Sequence, residues 1–221
     1  MVQSYYYSEK LREIYIFFMK TKWIDWIVEL QAIAQAGLHY SKDIYDKERF
    51  ERIREIAAEM MSKQSDLPLE TVKDLFCGET GYQTPKMDTR AAIFQNGKIL
   101  LVKEKNTWSL PGGWIDVNES VKSNTIKEVK EESGLDVIPI KLIAVQDRNK
   151  HNKPKYAYGI CKIFVLCDII SGEFQSNSET SESDFFDIDA LPELAIEKNT
   201  IEQILMCFDA YRNNNWAVQF D

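Results

Sequence analysis

Three glutamates, Glu128, Glu131 and Glu132, stand at positions i, i+3 and i+4 of a polar stretch that runs into Ser133-Gly134-Leu135. On a helix this spacing puts all three carboxylates on one face. Like charges so close repel, by tenths of a kcal/mol for an exposed pair and by more where water is excluded. Something cationic must compensate. A solvated face relieved by Lys127 and Lys130 would do so, and so would a divalent ion, because carboxylate and carbonyl oxygens gathered together are the hard donors that magnesium or manganese takes. Two upstream features favour the ion. Leu110-Pro111-Gly112-Gly113 frees backbone carbonyls and amides just before the helix, and Glu119 adds a carboxylate at the helix start.

Gly113, five residues, Glu119, seven residues, then Lys127-Glu128-Val129-Lys130-Glu131-Glu132-Ser133-Gly134-Leu135 resembles the Nudix box, Gly-x5-Glu-x7-Arg-Glu-U-x-Glu-Glu-x-Gly-U with U aliphatic. Every fixed position agrees except one, where Lys127 replaces the family's Arg. Arg offers a planar fork that holds carboxylates bidentately and Lys only a point charge, so looser orientation of the carboxylates is expected. The resemblance implies a Nudix α/β/α sandwich with a mixed sheet and, as metal ligands for Mg2+ or Mn2+, the Gly113 carbonyl with Glu128, Glu131 and Glu132. One of these carboxylates would activate water, and Glu182, in the polar loop before Phe185-Phe186, matches a loop carboxylate that assists as base in several members. The chemistry is coherent in itself: a diphosphate bridge repels an attacking water until its oxygens are neutralised.

Nearly the whole chain is also similar to a Nudix subgroup with an N-terminal helical domain, through Leu30-Gln-Ala-Ile-Ala-Gln-Ala-Gly-Leu38, Thr84-Pro-Lys86, Leu110 to Ile115 and Gln146 to His151. That subgroup hydrolyses nucleoside diphosphates linked to a second group X, including ADP-ribose and CDP-choline, to a nucleoside monophosphate and phosphorylated X. Arg148, His151, Lys153 and Lys155 form a basic patch with Tyr156 and Tyr158 alongside. It can grip the diphosphate or the base, or be a solvated loop, and the residues leave both open. Arg90 joins Arg148, His151, Lys155 and Tyr158 as a candidate substrate contact. Trp108 and Trp114, flanking the Pro-Gly-Gly turn, read as packing residues. The alternative to an enzyme is a nucleotide-sensing regulator without catalysis whose helical domain binds DNA. Residues 1–78 carry 11 basic and 13 acidic residues, a poor match to a duplex.

These groups need a scaffold. In the first 76 residues Trp23, Trp26, Ile27, Leu30, Ile33 and Ala34 recur at helical intervals and predict a helix stopping at Gly37. Asp46 then predicts an N-cap for a second helix with a stripe at Phe50, Ile53, Ala57 and Met60, and Leu67 to Phe76 a short third. This all-α domain is placed at 1–78, a linker with two glycines and a proline at 79–87, and the catalytic domain at 88–221, giving an α+β protein. Ala91 to Phe94, Asn96-Gly97 and Ile99 to Val102 predict a hairpin with a type I′ turn. A loop at 104–108, a helix from Ser120 to Ser133, strands at Val137 to Val145 and Tyr158 to Cys167, another at Phe185-Phe186 and a helix from Ile201 to Arg212 complete the order.

The formal charge is -8, so an acidic chain that handles phosphates needs a metal ion for local positive charge, and bulk nucleic-acid binding is disfavoured. Cys77, Cys161, Cys167 and Cys207 lack zinc-site spacing and read as reduced thiols, implying a cytoplasmic protein. Two histidines, His39 and His151, leave little for a His-based centre. Ile14 to Met19 is apolar but flanked by charges, and no signal peptide or membrane span is expected. The apolar helical stripes exceed what a short three-helix unit easily buries and predict a homodimer through that domain.

Overall fold

The computed structural model describes residues 22–65, 68–78 and 80–221, and the apolar patch at Ile14 to Met19, like Leu67, lies outside them. The chain divides between Thr84 and Pro85 into two compact units. In the first, helix α1 covers residues 22–40 and is followed by α2 (Ile44–Ser65) and α3 (Leu69–Phe76). Helix α1 does not stop at Gly37. A Cβ there would lie 2.5 Å from the Phe50 ring, so the residue is a close-approach point between α1 and α2 and not a terminator. Nor does Asp46 cap α2; the Asp43 carboxylate accepts from the amides of Tyr45 and Asp46 at 2.9 and 3.0 Å, the ordinary N-cap geometry. Gln31 and Gln35 are buried between the helices, and Gln31 donates to the Phe76 carbonyl at 2.7 Å.

The second unit is a mixed seven-stranded sheet between two helices. Strand β1 (Lys86–Gln95) begins inside the segment expected to be linker. It turns through Asn96 and Gly97, at φ 52° and 79°, into β2 (Lys98–Glu104), with Phe94 opposite Ile99. Strand β3 (Thr107–Ser109) occupies the end of the expected loop, because its edge pairs with β2. After α4 (Val121–Ser133) come β4 (Leu135–Asp147), the single turn α5 (Arg148–His151), β5 (Ile160–Gly172), β6 (Glu182–Phe186), α6 (Ile201–Arg212) and β7 (Gln219–Phe220). The order is β3-β2-β1-β5-β4-β7, with β6 on β2; β1 and β5 run parallel and β4 runs antiparallel to β5.

Alternate residues of β1 and β5 feed opposite layers. Ala92, Phe164 and Leu166 pack with Ile204, Cys207 and Phe208 of α6, whereas Ala91, Ile93, Val165 and Cys167 pack with Val129 of α4. Helix α4 is fixed at its start by a reciprocal Ser120–Ser123 capping box and ends on Gly134 in the left-handed conformation. The α/β/α sandwich of an α+β protein is thus as the sequence implies.

The turn at 110–113 is clamped to β1 by Ala91 N–H to the Pro111 carbonyl at 2.8 Å and Thr89 N–H to the Gly113 carbonyl at 2.9 Å. Between them Gly112 has φ +141°, and a Cβ would fall on the Thr89 carbonyl oxygen. Gly112→Ala is therefore expected to cost roughly 3 kcal/mol or more, combining strain with a backbone collision. Gly97→Ala, also at positive φ but in open space, should cost about 1 kcal/mol. Urea denaturation of the two variants measures this; equal losses would mean that the turn can move away from β1.

Candidate active site

Helix α4 presents Glu128, Glu131 and Glu132 to a cleft of about 900 Å³. Glu132, 6% exposed, accepts from the Gly112 amide at 2.8 Å. Burial pushes its carboxyl up to about 7, against the opposing pull of Arg90 and the Gly112 N–H. Glu128 is also raised by burial, with Lys127 opposing. Its Oε2 lies 2.6 Å from where a Gly113 side chain would begin, so the second glycine of the turn is the space this carboxylate uses. Glu131 is more open, with its side chain 58% exposed.

The Lys127 ammonium sits 2.9 Å from Asp116, 3.5 Å from Glu128 and 3.6 Å from Glu131, and the Asp116 hydrogen bond is the main reason its proton is held more tightly than usual. As a point charge it takes three carboxylates loosely where a guanidinium would take two oxygens of one. Lys130, the other expected compensator, is turned away to Asp136 at 2.8 Å. Glu119 is not among the cleft residues; Asp116 fills the upstream acidic place.

Among the described residues no three acidic, His or Cys side chains are gathered tightly enough to hold an ion without adjustment. The donor chemistry nevertheless fits a hard divalent cation. Two of the three carboxylates are raised by burial, because loss of water disfavours their charged form, and a bound cation would favour it again. The Gly113 carbonyl, whose oxygen keeps a second lone pair beside its bond to Thr89, borders the same cleft.

Of the candidate substrate contacts the structure brings Arg90 and Arg148 into the cleft. Arg90 is held by both oxygens of Asp88, at 3.0 and 3.2 Å, and donates to the Leu110 carbonyl at 3.2 Å. Burial alone would lower its guanidinium; Asp88 and then Glu132 more than reverse that. Arg148 is buried over the Tyr156 ring, 3.5 Å from its centroid, and donates to the carbonyls of Pro154 and Glu197.

Tyr158, His151 and Lys155 do not line it. His151 is 2.6 Å from Asp221, and the Tyr158 ring is 6.4 Å from that of Trp114. Glu182 is also outside the cleft. It lies on strand β6 and not in a loop, so its register opposite Lys103 turns the carboxylate to that ammonium at 2.6 Å; Glu179 of the preceding loop borders the cleft instead. Trp108 packs edge-on against Phe186 as expected, but Trp114 is 46% exposed on the cleft. Sequence reading missed Asp88, Glu104, Lys162 and Lys198. Asp88 and Lys162 are charges within strands, whereas Glu104 and Lys198 stand beside other charges in the sequence, and only their position opposite other charges gives any of them a role. A charged residue inside a strand pattern, such as Lys162 before Ile163-Phe164-Val165, was the available signal.

A family model described as the NUDIX domain matches residues 85–205, and a second, described as a UDP-X-like N-terminal oligomerisation domain, matches residues 21–76. YjhB of Bacillus subtilis, provisionally named an ADP-ribose pyrophosphatase, is 44% identical over 92% of this chain and 99% of its own length. An ADP-ribose pyrophosphatase from Streptococcus suis, known as a crystal structure, is 53% identical over 62% of this chain and the whole of its own, with a TM-score of 0.59. A structure described as a UDP-X diphosphatase is 33% identical over 90% of this chain and 98% of its own, also at 0.59. With its box on a helix, its glycine turn clamped to the sheet and both of its units matched, this chain belongs to the Nudix hydrolase family.

Proposed function

We propose that the protein is a metal-dependent pyrophosphohydrolase that cleaves a nucleoside diphosphate linked to X into a nucleoside monophosphate and phosphorylated X. The observation that carries this is Glu132, a buried carboxylate held near 7 beside Glu128 and Glu131 on one helix face above the cleft. ADP-ribose is the first substrate to assay, since the relatives in Bacillus subtilis and Streptococcus suis bear that activity in their names; CDP-choline is the second.

The Gly113 carbonyl with Glu128, Glu131 and Glu132 would hold magnesium or manganese, which when bound neutralises diphosphate oxygens and makes a bound water more acidic. Glu132, matched to neutral pH and oriented by the Gly112 amide, suits the transfer of a proton from the attacking water. One P–O bond to the bridging oxygen breaks as the water oxygen bonds to phosphorus. Lys127 relieves repulsion between Glu128 and Glu131, Arg90 and Arg148 face the anionic substrate, and the open ring of Trp114 offers a stacking surface for the base. The helical unit leaves Trp23, Trp26, Leu30 and Ile33 exposed, and we assign them to a homodimer interface.

Glu128→Gln, Glu131→Gln and Glu132→Gln should each lower the magnesium-supported rate on ADP-ribose or CDP-choline by roughly 10²- to 10⁴-fold. Lys130→Gln and Glu182→Gln should change it little. Steady-state rates against magnesium concentration decide this, and near-normal turnover in all three Glu variants would remove the site.

Because Glu132 sits near 7 when folded against an ordinary 4.5, the metal-free folded protein keeps a proton that the unfolded chain has released between those values. Its stability should therefore fall as pH rises from about 4.5 to about 7, by up to about 3 kcal/mol. Melts in chelator should show this slope in the wild type and not in Glu132→Gln, and magnesium should flatten it.

Light scattering at micromolar concentration should give about twice the 25.7 kDa chain mass. A monomer at high concentration would contradict the dimer.

A further inference from the structure

The cleft floor holds more positive charge than the reading above employs. Lys162 on β5 is the register partner of Asp88 on β1, so the two side chains leave the sheet side by side, and Arg90 shares their face. The Lys162 ammonium is 3.1 Å from Asp88 Oδ2 and donates to the Lys198 carbonyl. Arg90 takes both oxygens of that same Asp88 carboxylate. Arg148 arrives from α5. Lys162, Arg148 and Arg90 are 2%, 1% and 6% exposed, and all three line the cleft.

Asp88 is thus the carboxylate that both Lys162 and Arg90 contact among the described ion pairs. Glu132 and Glu104 act on Arg90 and Glu197 on Arg148, but Asp88 is the carboxylate in direct ion-pair contact with these buried cations among the described pairs, so a further anion would be favourable beside them. Lys162 shows the strain electrostatically: burial and then repulsion from Arg90 bring it down to about 8, Asp88 opposes them, and Arg148 adds to the lowering. It remains protonated at neutral pH. Of its three N–H groups, Asp88 and Lys198 take two among the described contacts, leaving one for a further acceptor.

We propose that Lys162 is a substrate-binding residue whose ammonium, with Arg90 and Arg148, receives phosphate oxygens of the diphosphate on the cleft floor, across from the glutamates of α4. This rests on the pyrophosphohydrolase reading for the identity of the diphosphate, but the cation cluster calls for an anion of this class whatever is done to it. The competing role is a purely structural tie between β5 and the segment before α6 through the Lys198 carbonyl.

The test uses the full chain as wild type, Lys162→Met and Lys162→Arg. Binding of inorganic pyrophosphate is measured by calorimetry in chelator, and KM and kcat for ADP-ribose are measured with magnesium. Lys162→Met should weaken pyrophosphate binding tenfold or more and raise KM by a similar factor. Its melting temperature should stay near the wild type's, because Asp88 keeps both bonds to Arg90. Lys162→Arg should restore affinity. The groups facing Lys162 are Asp88 and Arg90 from β1 and Arg148 from α5, so the wild-type affinity should fall above about pH 8 and the Lys162→Arg affinity should not. Should Lys162→Met fail to fold, this difference in pH profile decides alone. Absence of pyrophosphate binding by the wild type, or unchanged affinity and KM in Lys162→Met, overturns the proposal while leaving any turnover intact. Lys162-dependent binding without turnover of ADP-ribose, CDP-choline or any related compound sinks the functional reading and leaves this one standing.

Discussion

The close approach of the Pro111-Gly112-Gly113 backbone to β1 is the constraint on which the site depends. Two hydrogen bonds, at 2.8 and 2.9 Å, commit the Pro111 and Gly113 carbonyls to Ala91 and Thr89. That leaves the amide of Gly112 directed to Glu132, and a side chain at Gly112 would abolish the contact by colliding with Thr89. Since the amide reaches a carboxylate three turns into α4, the clamp also sets how deep that helix face sits. Val129, three residues before Glu132 and so beside it on the helix, is wholly buried against β1 and β5. Sheet packing at Val129 and the Gly112 amide together therefore fix Glu132 in a place where water is scarce.

Scarcity of water then sets the electrostatics, and it acts in opposite directions on opposite charges. Glu132 is raised to about 7 and Lys162 lowered to about 8 by the same cause, burial at the edge of one cleft. The three box glutamates come from α4, whereas the buried cations Arg90 and Lys162 come from β1 and β5. Asp88 and the Lys198–Glu104 pair moderate the field without cancelling it. An anionic substrate whose oxygens also bind a cation has complementary surfaces on both sides. Titrating groups pushed toward neutrality from above and below within one cleft are the usual mark of an active site.

The helical unit follows different physics. Its interior holds Ile27, Ala34, Ala57, Ala58, Met61, Val72 and Phe76 with the buried amides of Gln31 and Gln35 among the described residues. It leaves Trp23 and Trp26 partly exposed, their rings edge-on at 5.4 Å. Among the described residues no helix is long and apolar enough to cross a membrane.

The sequence by itself determined whatever is local or strictly periodic. The i, i+3, i+4 glutamates, the Asn96-Gly97 turn and the apolar runs of β1 and β5 were legible because each is set by neighbours within a few residues. The box spacing carried the family. Helix ends were less legible: Gly37 reads as a stop until Phe50 is seen packed against it, and Asp43 and Asp46 are equally good caps on paper. Tertiary structure alone decided which charges meet. Glu182 looked like a loop base, but one strand pairing turned it to Lys103, and His151 went to Asp221 far along the chain. Asp88, Arg90 and Lys162 acquired a shared role only through the parallel register of two strands more than 70 residues apart in sequence. Coulomb energy and desolvation depend on distance through space and on access of water, and neither is written in the order of the residues.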